Sequence, residues 1–420
     1  MPSVLVANLS APEINRLGVE LERRGTLAHF VRPYVNKKRT WERLIERAPA
    51  LGRMYGRTLG RRTPPPGLPI EKITEAGVGQ DVLAAIVSRL PIARRAWRQR
   101  VAHALIFAAE RSVADLAGAK AADADIVVAS YGTGEKAFEA VHRAGGRAVL
   151  SYPIAHNNFQ LKFYREEAQF APEFAAALPR LEELPREYSA RLEAECQLAD
   201  TILVGSTFVR DSFVAEGFDA RRITVASYGV DTERFVPADQ ERREGPFRVL
   251  FVGQIGQRKG ISYLLKGYEL FRRADSELHI VGNYVRGHEV YRRYSHLYRH
   301  TPNVPQSELP GLIRSADVFV FPSLIEGMPL VVLEAMACGI PVITTRHGPV
   351  DIVRDGLDGY FVPIRDPEAI AARLEQLYLD PDLRRRMGHN AREQARRYTW
   401  DRFARSAADA VLAGEVAKGS

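Results

Sequence analysis

Two cysteines in 420 residues, Cys196 and Cys338, are too few for a disulfide framework, which excludes the small stapled scaffolds of the extracellular space. A reducing, cytoplasmic setting is the expectation. No apolar run approaches the roughly 20 residues that cross a bilayer, so a membrane-spanning chain is not expected. The opening residues, MPSVLVANLSAPE, lack a basic start and an apolar stretch of export length. They read as a first strand. No segment repeats another. Apolar residues make up 46% and charged residues 26%, the balance of a folded globular chain rather than a disordered one. The length exceeds one ordinary core and calls for two or three domains.

Acidic residues are in deficit, and the net charge of +8 is unevenly spread. Between Asn36 and Arg62 stand nine Lys or Arg against Glu42 and Glu46 alone, which gives this segment +7. Such a cluster favours an anionic partner: a lipid surface, a polyanionic glycan or a nucleic acid. Arg39, Arg43 and Arg47 recur every four residues, with Trp41, Leu44, Ile45 and Ala48 as a short apolar face between them. That pattern favours docking to an anionic membrane surface or to an acceptor over a plain solvated excursion. Nucleic acid is not expected, because no RNA-module signature or interleaved stacking aromatics accompany the charge.

Short β-branched runs alternate with longer helical stretches, the pattern of α/β layers on parallel sheets. Strands are expected at Ser3–Asn8, Leu27–Val31, Ile126–Ser130, Ala148–Tyr152, Thr201–Val204 and Ile223–Ser227. A second series follows at Arg248–Val252, Glu277–Val281, Val318–Phe321 and Pro341–Thr344. Between the series lies VDTERFVPADQERREGP, charged, without periodicity and closed by Gly-Pro. The reading is two Rossmann-like domains, 1–232 and 247–399, joined by a linker at 233–246. Ligands in such sheets gather beyond the carboxyl ends of the strands, so a cleft between the domains is the expected site.

Three stretches carry chemistry. In FPSLIEGMPLVVLEAMACG a strand ends at Phe321, and Pro329 suits the first position of a new helix. The N–H groups of Met328, Pro329-flanked Leu330 and Val331 would then be unpaired at a helix start, ready for phosphate or sugar oxygens. Glu326 precedes that helix beside Gly327, and Glu334 follows eight residues later. Either carboxylate alone would read as a solvated helix-end residue favoured by the dipole; the whole constellation argues for a site. In RVLFVGQIGQRKGISYLL a strand runs into a loop containing Gly253 and Gln254, then Arg258 and Lys259 before Gly260. A cation pair there neutralises a diphosphate and the charge that grows on it as a bond to it breaks. His156 follows the strand Ala148–Tyr152 in a loop on the same side; against a binding role stands the commoner fate of a lone loop histidine as a cap. Glu166 and Glu167 read as a solvated face. Asp123 with Asp125, and Asp380 with Asp382, have the spelling of a metal-binding pair. The first precedes a strand and the second reads as a capped turn, so no metal is expected.

The stretch from Phe321 to Gly339 resembles the E-x7-E motif of retaining GT-B glycosyltransferases, the family 4-like group that contains glycogen and sucrose synthases and mannosyltransferases. The resemblance covers most of Ser206–Pro363, including YGVD at Tyr228–Asp231 and HGPVDIVRDGLDGYFVP, where Pro349 and Asp351 stand for the usual Gly and Glu. It implies that Glu326 binds a donor sugar, that Glu334 binds the nucleotide ribose and that Lys259 holds the diphosphate, while Arg258 beside it is expected to share that clamp in place of the Arg usual at position 254. Gln254 departs from the commoner Arg. A His near position 156 contacts the sugar or leaving group in relatives. The resemblance implies a cytoplasmic, metal-independent hexosyltransferase with no cofactor beyond its donor, a UDP-, GDP- or ADP-sugar, and with a glycan, lipid or small-molecule acceptor in envelope, polysaccharide or glycolipid synthesis. The departing phosphate would itself take the acceptor proton. Helix 400–420 is expected to cross back to the first domain. Two alternatives are a GT-B nucleotide-sugar epimerase and an idle nucleotide-sugar-binding subunit of an envelope-assembly complex; Gln254 keeps the second in play.

Overall fold

The computed structural model describes all residues except 10, 49–51, 53–54, 57–58, 89–94, 239–244 and 414–420. By contacts the chain forms two compact units, one of 1–152, 185–203 and 404–420, the other of 153–184 and 204–403. The second unit therefore takes in the 233–246 stretch and also draws on chain from before it. Helix Trp400–Leu412 starts in the second unit, and from Ala404 it belongs to the first.

In the first unit, β1 (Val4–Ala7), β2 (Leu27–Arg32), β3 (Ile73–Glu75), β4 (Ile126–Ser130), β5 (Arg147–Tyr152) and β6 (Thr201–Val204) line up in the order β3-β2-β1-β4-β5-β6. Pairing is parallel from β3 through β5. The strands at the centre are apolar on both faces, as covering helices require: every residue of β1 and β4 is buried. Asp125 holds the entry to this sheet, accepting from the Ser3 N–H at 2.8 Å. It lies at the amino end of β4.

The second unit continues with β7 (Ile223–Val225), then β8 (Phe247–Val252), β9 (Ser276–Val281), β10 (Tyr298–Thr301), β11 (Val318–Phe321), β12 (Val342–Thr344) and β13 (Gly359–Phe361). The last six form a sheet in the order β10-β9-β8-β11-β12-β13, parallel throughout. Its order reverses between β8 and β11, and the loops leaving their carboxyl ends start at Gly253 and Pro322. Stacked Phe251 and Phe321, with ring centroids 5.6 Å apart, fix the two strands against each other. Helix Ile261–Phe271 buries Ile261, Leu264, Leu265 and Tyr268 at helical spacing and begins at Gly260. Gly260 has φ +69°, and a Cβ there would lie 1.9 Å from the Pro322 carbonyl oxygen.

Glu167, read from sequence as solvated, is completely buried. Its Oε1 accepts from Gln257 Nε2 at 2.7 Å and Tyr263 O–H at 2.6 Å, and its Oε2 from Arg365 Nε at 2.7 Å. Gln160, Phe163, Tyr164 and Glu167 form one buried stripe of helix Asn157–Phe170, whereas Glu166 next door is exposed. The stripe follows the 3.6-residue period, and a carboxylate within it needs internal donors. Replacing Glu167 with Ala strands the Arg365 guanidinium and two neutral donors. The expected loss is about 3 kcal/mol of unfolding free energy, read as a lower midpoint in denaturant; an unchanged midpoint would contradict this placement.

Candidate functional site

The loops after β8 and β11 meet at one carboxylate. Glu326 is 7% exposed, and its Oε1 receives Lys259 Nζ at 2.5 Å and Arg258 Nη1 at 2.8 Å. Ser323 Oγ lies 2.8 Å from the same oxygen. Oε2 has no partner among the described residues. Backbone contacts zip the two loops together: Leu324 N–H donates to the Arg258 carbonyl at 2.8 Å, and Arg258 Nη1 also reaches the Ile325 carbonyl at 2.9 Å. The Lys259 ammonium sits 4.9 Å from the centre of the Phe321 ring, a cation–π contact that suits a desolvated cation.

Burial alone would raise the Glu326 carboxyl, but Lys259, Arg258 and the Ser323 hydroxyl together hold it below its ordinary value. Burial pushes the Lys259 ammonium down, and the Arg258 charge adds to that against the attraction of Glu326. The group is an ionised cluster with one carboxylate and two cations. It carries a net positive charge where β8 and β11 end.

Immediately beyond it, helix Leu330–Ala337 begins, with Pro329 as its cap rather than its first residue. The N–H groups of Gly327, Met328, Leu330 and Val331 make no hydrogen bond among the described residues. Met328 is fixed from behind, its sulfur 2.9 Å from the Tyr228 nitrogen. Gly327 is required by crowding, since a Cβ there would lie 1.7 Å from the Pro153 carbonyl oxygen. Glu334 forms no hydrogen bond or ion pair among the described residues. Burial raises its carboxyl to about 7, against the pull of Arg234.

The remaining expected residues separate. Gln254 is exposed. His156 is 1% exposed and caps helix Asn157–Phe170: its Nδ1 accepts from the Asn158 N–H at 3.3 Å, which leaves the ring proton on Nε2. Phe213 and Phe218 pack around the ring at centroid distances of 4.9 and 5.2 Å. This is the local capping arrangement weighed against a binding role. Asp380 likewise caps the helix Pro381–Ala395 through the Leu383 N–H at 2.8 Å. Among the described residues no group of three His, Cys, Asp or Glu is placed to hold a metal ion. Sequence reasoning passed over His347, whose Nδ1–H donates to the Leu324 carbonyl at 2.7 Å while its ring stacks on Phe208. It steadies the loop that carries Glu326, and its signal was its place in the HGPVD segment.

Two parallel α/β sheets with helical cover, the second ending in a cationic loop and an acidic helix mouth, define the GT-B fold. Anabaena HepE in complex with UDP superposes with a TM-score of 0.62 over 98% of this chain and 99% of its own, at 14% identity. Sucrose-phosphate synthase from Thermosynechococcus elongatus gives a TM-score of 0.65 over 98% of both chains at 16% identity. Residues 233–394 match the model of the family Glycosyl transferases group 1. The chain is 34% identical to a D-inositol 3-phosphate glycosyltransferase of Corynebacterium jeikeium over 51% of its own length and 58% of the relative's. A Streptomyces bingchenggensis protein of the same name matches at 34% over 53% and 55%. The chain thus spans about half the length of these curated relatives.

The unpartnered Glu334 has a consequence for stability. Its folded pKa lies above the ordinary carboxylate value, so its contribution is present at low pH and is lost as pH rises toward 7. Glu334→Gln should therefore be more stable than the parent above pH 7 in thermal denaturation, with the gap closing below about pH 5. A pH-independent gap would show that this carboxylate is solvated.

Proposed function

We propose that the chain is a retaining, metal-independent glycosyltransferase that moves a hexose from a nucleotide diphosphate sugar to an acceptor. The observation that carries this reading is the convergence on Glu326 of Lys259 and Arg258, next to four N–H groups and a Glu334 carboxylate that have no hydrogen-bond partner among the described residues. The diphosphate lies against the two cations and the start of helix Leu330–Ala337, where charge and backbone donors both favour an anion. Oε2 of Glu326 accepts from sugar hydroxyls, while Oε1 stays with the protein donors. Glu334 takes the ribose diol. As the glycosidic bond breaks, negative charge builds on the departing phosphate, and Lys259 and Arg258 are already in place to meet it. No dedicated base is required if that phosphate takes the acceptor proton.

The capping role of His156 removes it from direct contact in this reading and assigns it to shaping the loop before Asn157. Donor identity is supported for UDP by the HepE complexes with UDP and UDP-glucose, which share the fold. An acceptor bearing a phosphate is supported by the name of the curated relatives. Peripheral membrane contact has support from helix Thr40–Arg47, where Trp41 is 43% and Leu44 61% exposed. The charge available for it is less than the composition promises. Lys37, Lys38, Arg39 and Arg62 pair with Glu75, Glu46, Glu75 and Asp81, whereas the side chains of Arg43, Arg47 and Arg61 form no ion pair or hydrogen bond among the described residues. No described helix is long and apolar enough to cross a membrane.

The decisive variant is Glu326→Gln rather than Glu326→Ala, because Ala would leave two buried cations unpaired at about 3–5 kcal/mol. With the UDP-, GDP- or ADP-sugar that raises the melting temperature most, the variant should keep nucleotide binding and lose about a hundredfold or more in turnover. Transfer should survive EDTA, and the product anomer read by NMR should match the donor's. Loss of activity in EDTA, an inverted anomer, or full turnover in Glu326→Gln would each refute the corresponding part of the reading.

A further inference from the structure

The second unit has a cavity at the other edge of its sheet. It opens where β11 and β12 begin, beside Asp317 and Pro341, whereas Glu326 lies beyond the end of β11. Its volume is about 800 Å³. We propose that this cavity binds a phosphorylated ligand, at a site separate from the one around Glu326.

Its charge carries the argument. Among the described residues, Arg314, Arg384, Arg385, His389 and Arg392 line it, with Asp317 as the one carboxylate. That carboxylate is engaged: Oδ2 accepts from the Arg248 N–H at 2.8 Å, and Oδ1 is 3.8 Å from Arg384 Nε. Arg385 pairs with Asp382, in the first turn of helix Pro381–Ala395. Arg392 donates to the carbonyls of Phe235, Ala337 and Thr232, neutral acceptors rather than a carboxylate. The side chains of Arg314 and His389 form no hydrogen bond or ion pair among the described residues.

Arg385, His389 and Arg392 recur at i, i+4 and i+7 on that helix, so they share one face. An anion seated against that face would meet the Arg385 and Arg392 guanidinium groups two turns apart, with the His389 ring between them as a further polar group. Between them the helix is held close by Gly388, where a Cβ would lie 2.2 Å from the Gly339 carbonyl oxygen. Guanidinium groups reach the cavity from two separate segments, the end of helix Leu309–Arg314 and the helix Pro381–Ala395. Convergent, planar, multi-donor cations in a concave site match the oxygens of a phosphate ester or a polyphosphate better than any neutral ligand.

Inorganic tripolyphosphate is the probe, titrated calorimetrically at low salt into the full chain. Four proteins are compared: the parent, Arg314→Ala/Arg385→Ala, Lys259→Met, and the surface control Arg396→Ala/Arg397→Ala, which removes the same charge elsewhere. In the parent and the control the isotherm should contain a component that Lys259→Met retains and that Arg314→Ala/Arg385→Ala weakens about tenfold or more, distinct from any binding at the Glu326 cluster, which Lys259→Met removes. In the parent, the ring protons of His389, assigned through His389→Gln, should shift on addition of the probe. No binding, an unmoved His389, equal weakening of that component in the control, or its disappearance in Lys259→Met would each overturn the proposal.

Discussion

A carboxylate, an ammonium and a guanidinium withdrawn from water cost several kcal/mol each, and only tight geometry and complete hydrogen bonding return that cost. At Glu326 the return comes from one oxygen that collects Lys259, Arg258 and Ser323 within 2.8 Å. Much of the surrounding structure exists to keep that oxygen where it is. Gly260 lets its loop press on Pro322, and Gly348 lets the chain after β12 press on Glu326, where a Cβ would sit 2.5 Å from the Glu326 Cβ. Thr345 Oγ1 donates to the Ser323 carbonyl at 2.6 Å, and His347 holds Leu324. Gln257, the residue before Arg258, is itself held by Glu167.

The arrangement explains a feature that would be odd in a purely structural cluster. One oxygen of Glu326 is oversupplied with donors and the other has none among the described residues. A structural ion pair would gain from spreading its donors over both. Concentrating them on Oε1 leaves two cations with unused N–H bonds and one oxygen with unused lone pairs, all beside the open start of a helix. In the proposed reading, such a surface is preorganised for a ligand that has both anionic oxygens and hydroxyl groups. Glu334, desolvated and without a hydrogen-bond partner among the described residues, lies a short way along the same helix.

Much of this was legible in the amino-acid order. The strands that anchor the site, Val318–Phe321 and the run ending at Val252, are continuous apolar stretches, and the breaker residues that follow them announce the loops. The strands that escaped are short and at or near sheet edges: Ile73–Glu75, Tyr298–Thr301 and Gly359–Phe361. Their side chains are too polar or too few to show a period-two pattern. Glu167 was misread because its neighbour Glu166 suggested a charged face, while the 3.6-residue stripe it completes pointed inward. The pairing of the 36–62 segment was illegible for a different reason. Its counter-charges Glu75 and Asp81 lie outside the segment and are brought in by strand β3 and the helix after it.

The central claim is that one ligand touches the Glu326 cluster, the start of helix Leu330–Ala337 and Glu334 together. A crystal structure with the intact nucleotide sugar that gives the largest thermal shift tests it most directly. The account predicts the diphosphate against Lys259, Arg258 and the N–H groups of Gly327 to Val331, a sugar hydroxyl on Oε2 of Glu326, and the ribose on Glu334. A diphosphate bound elsewhere, with the Glu326 cluster untouched, would contradict it.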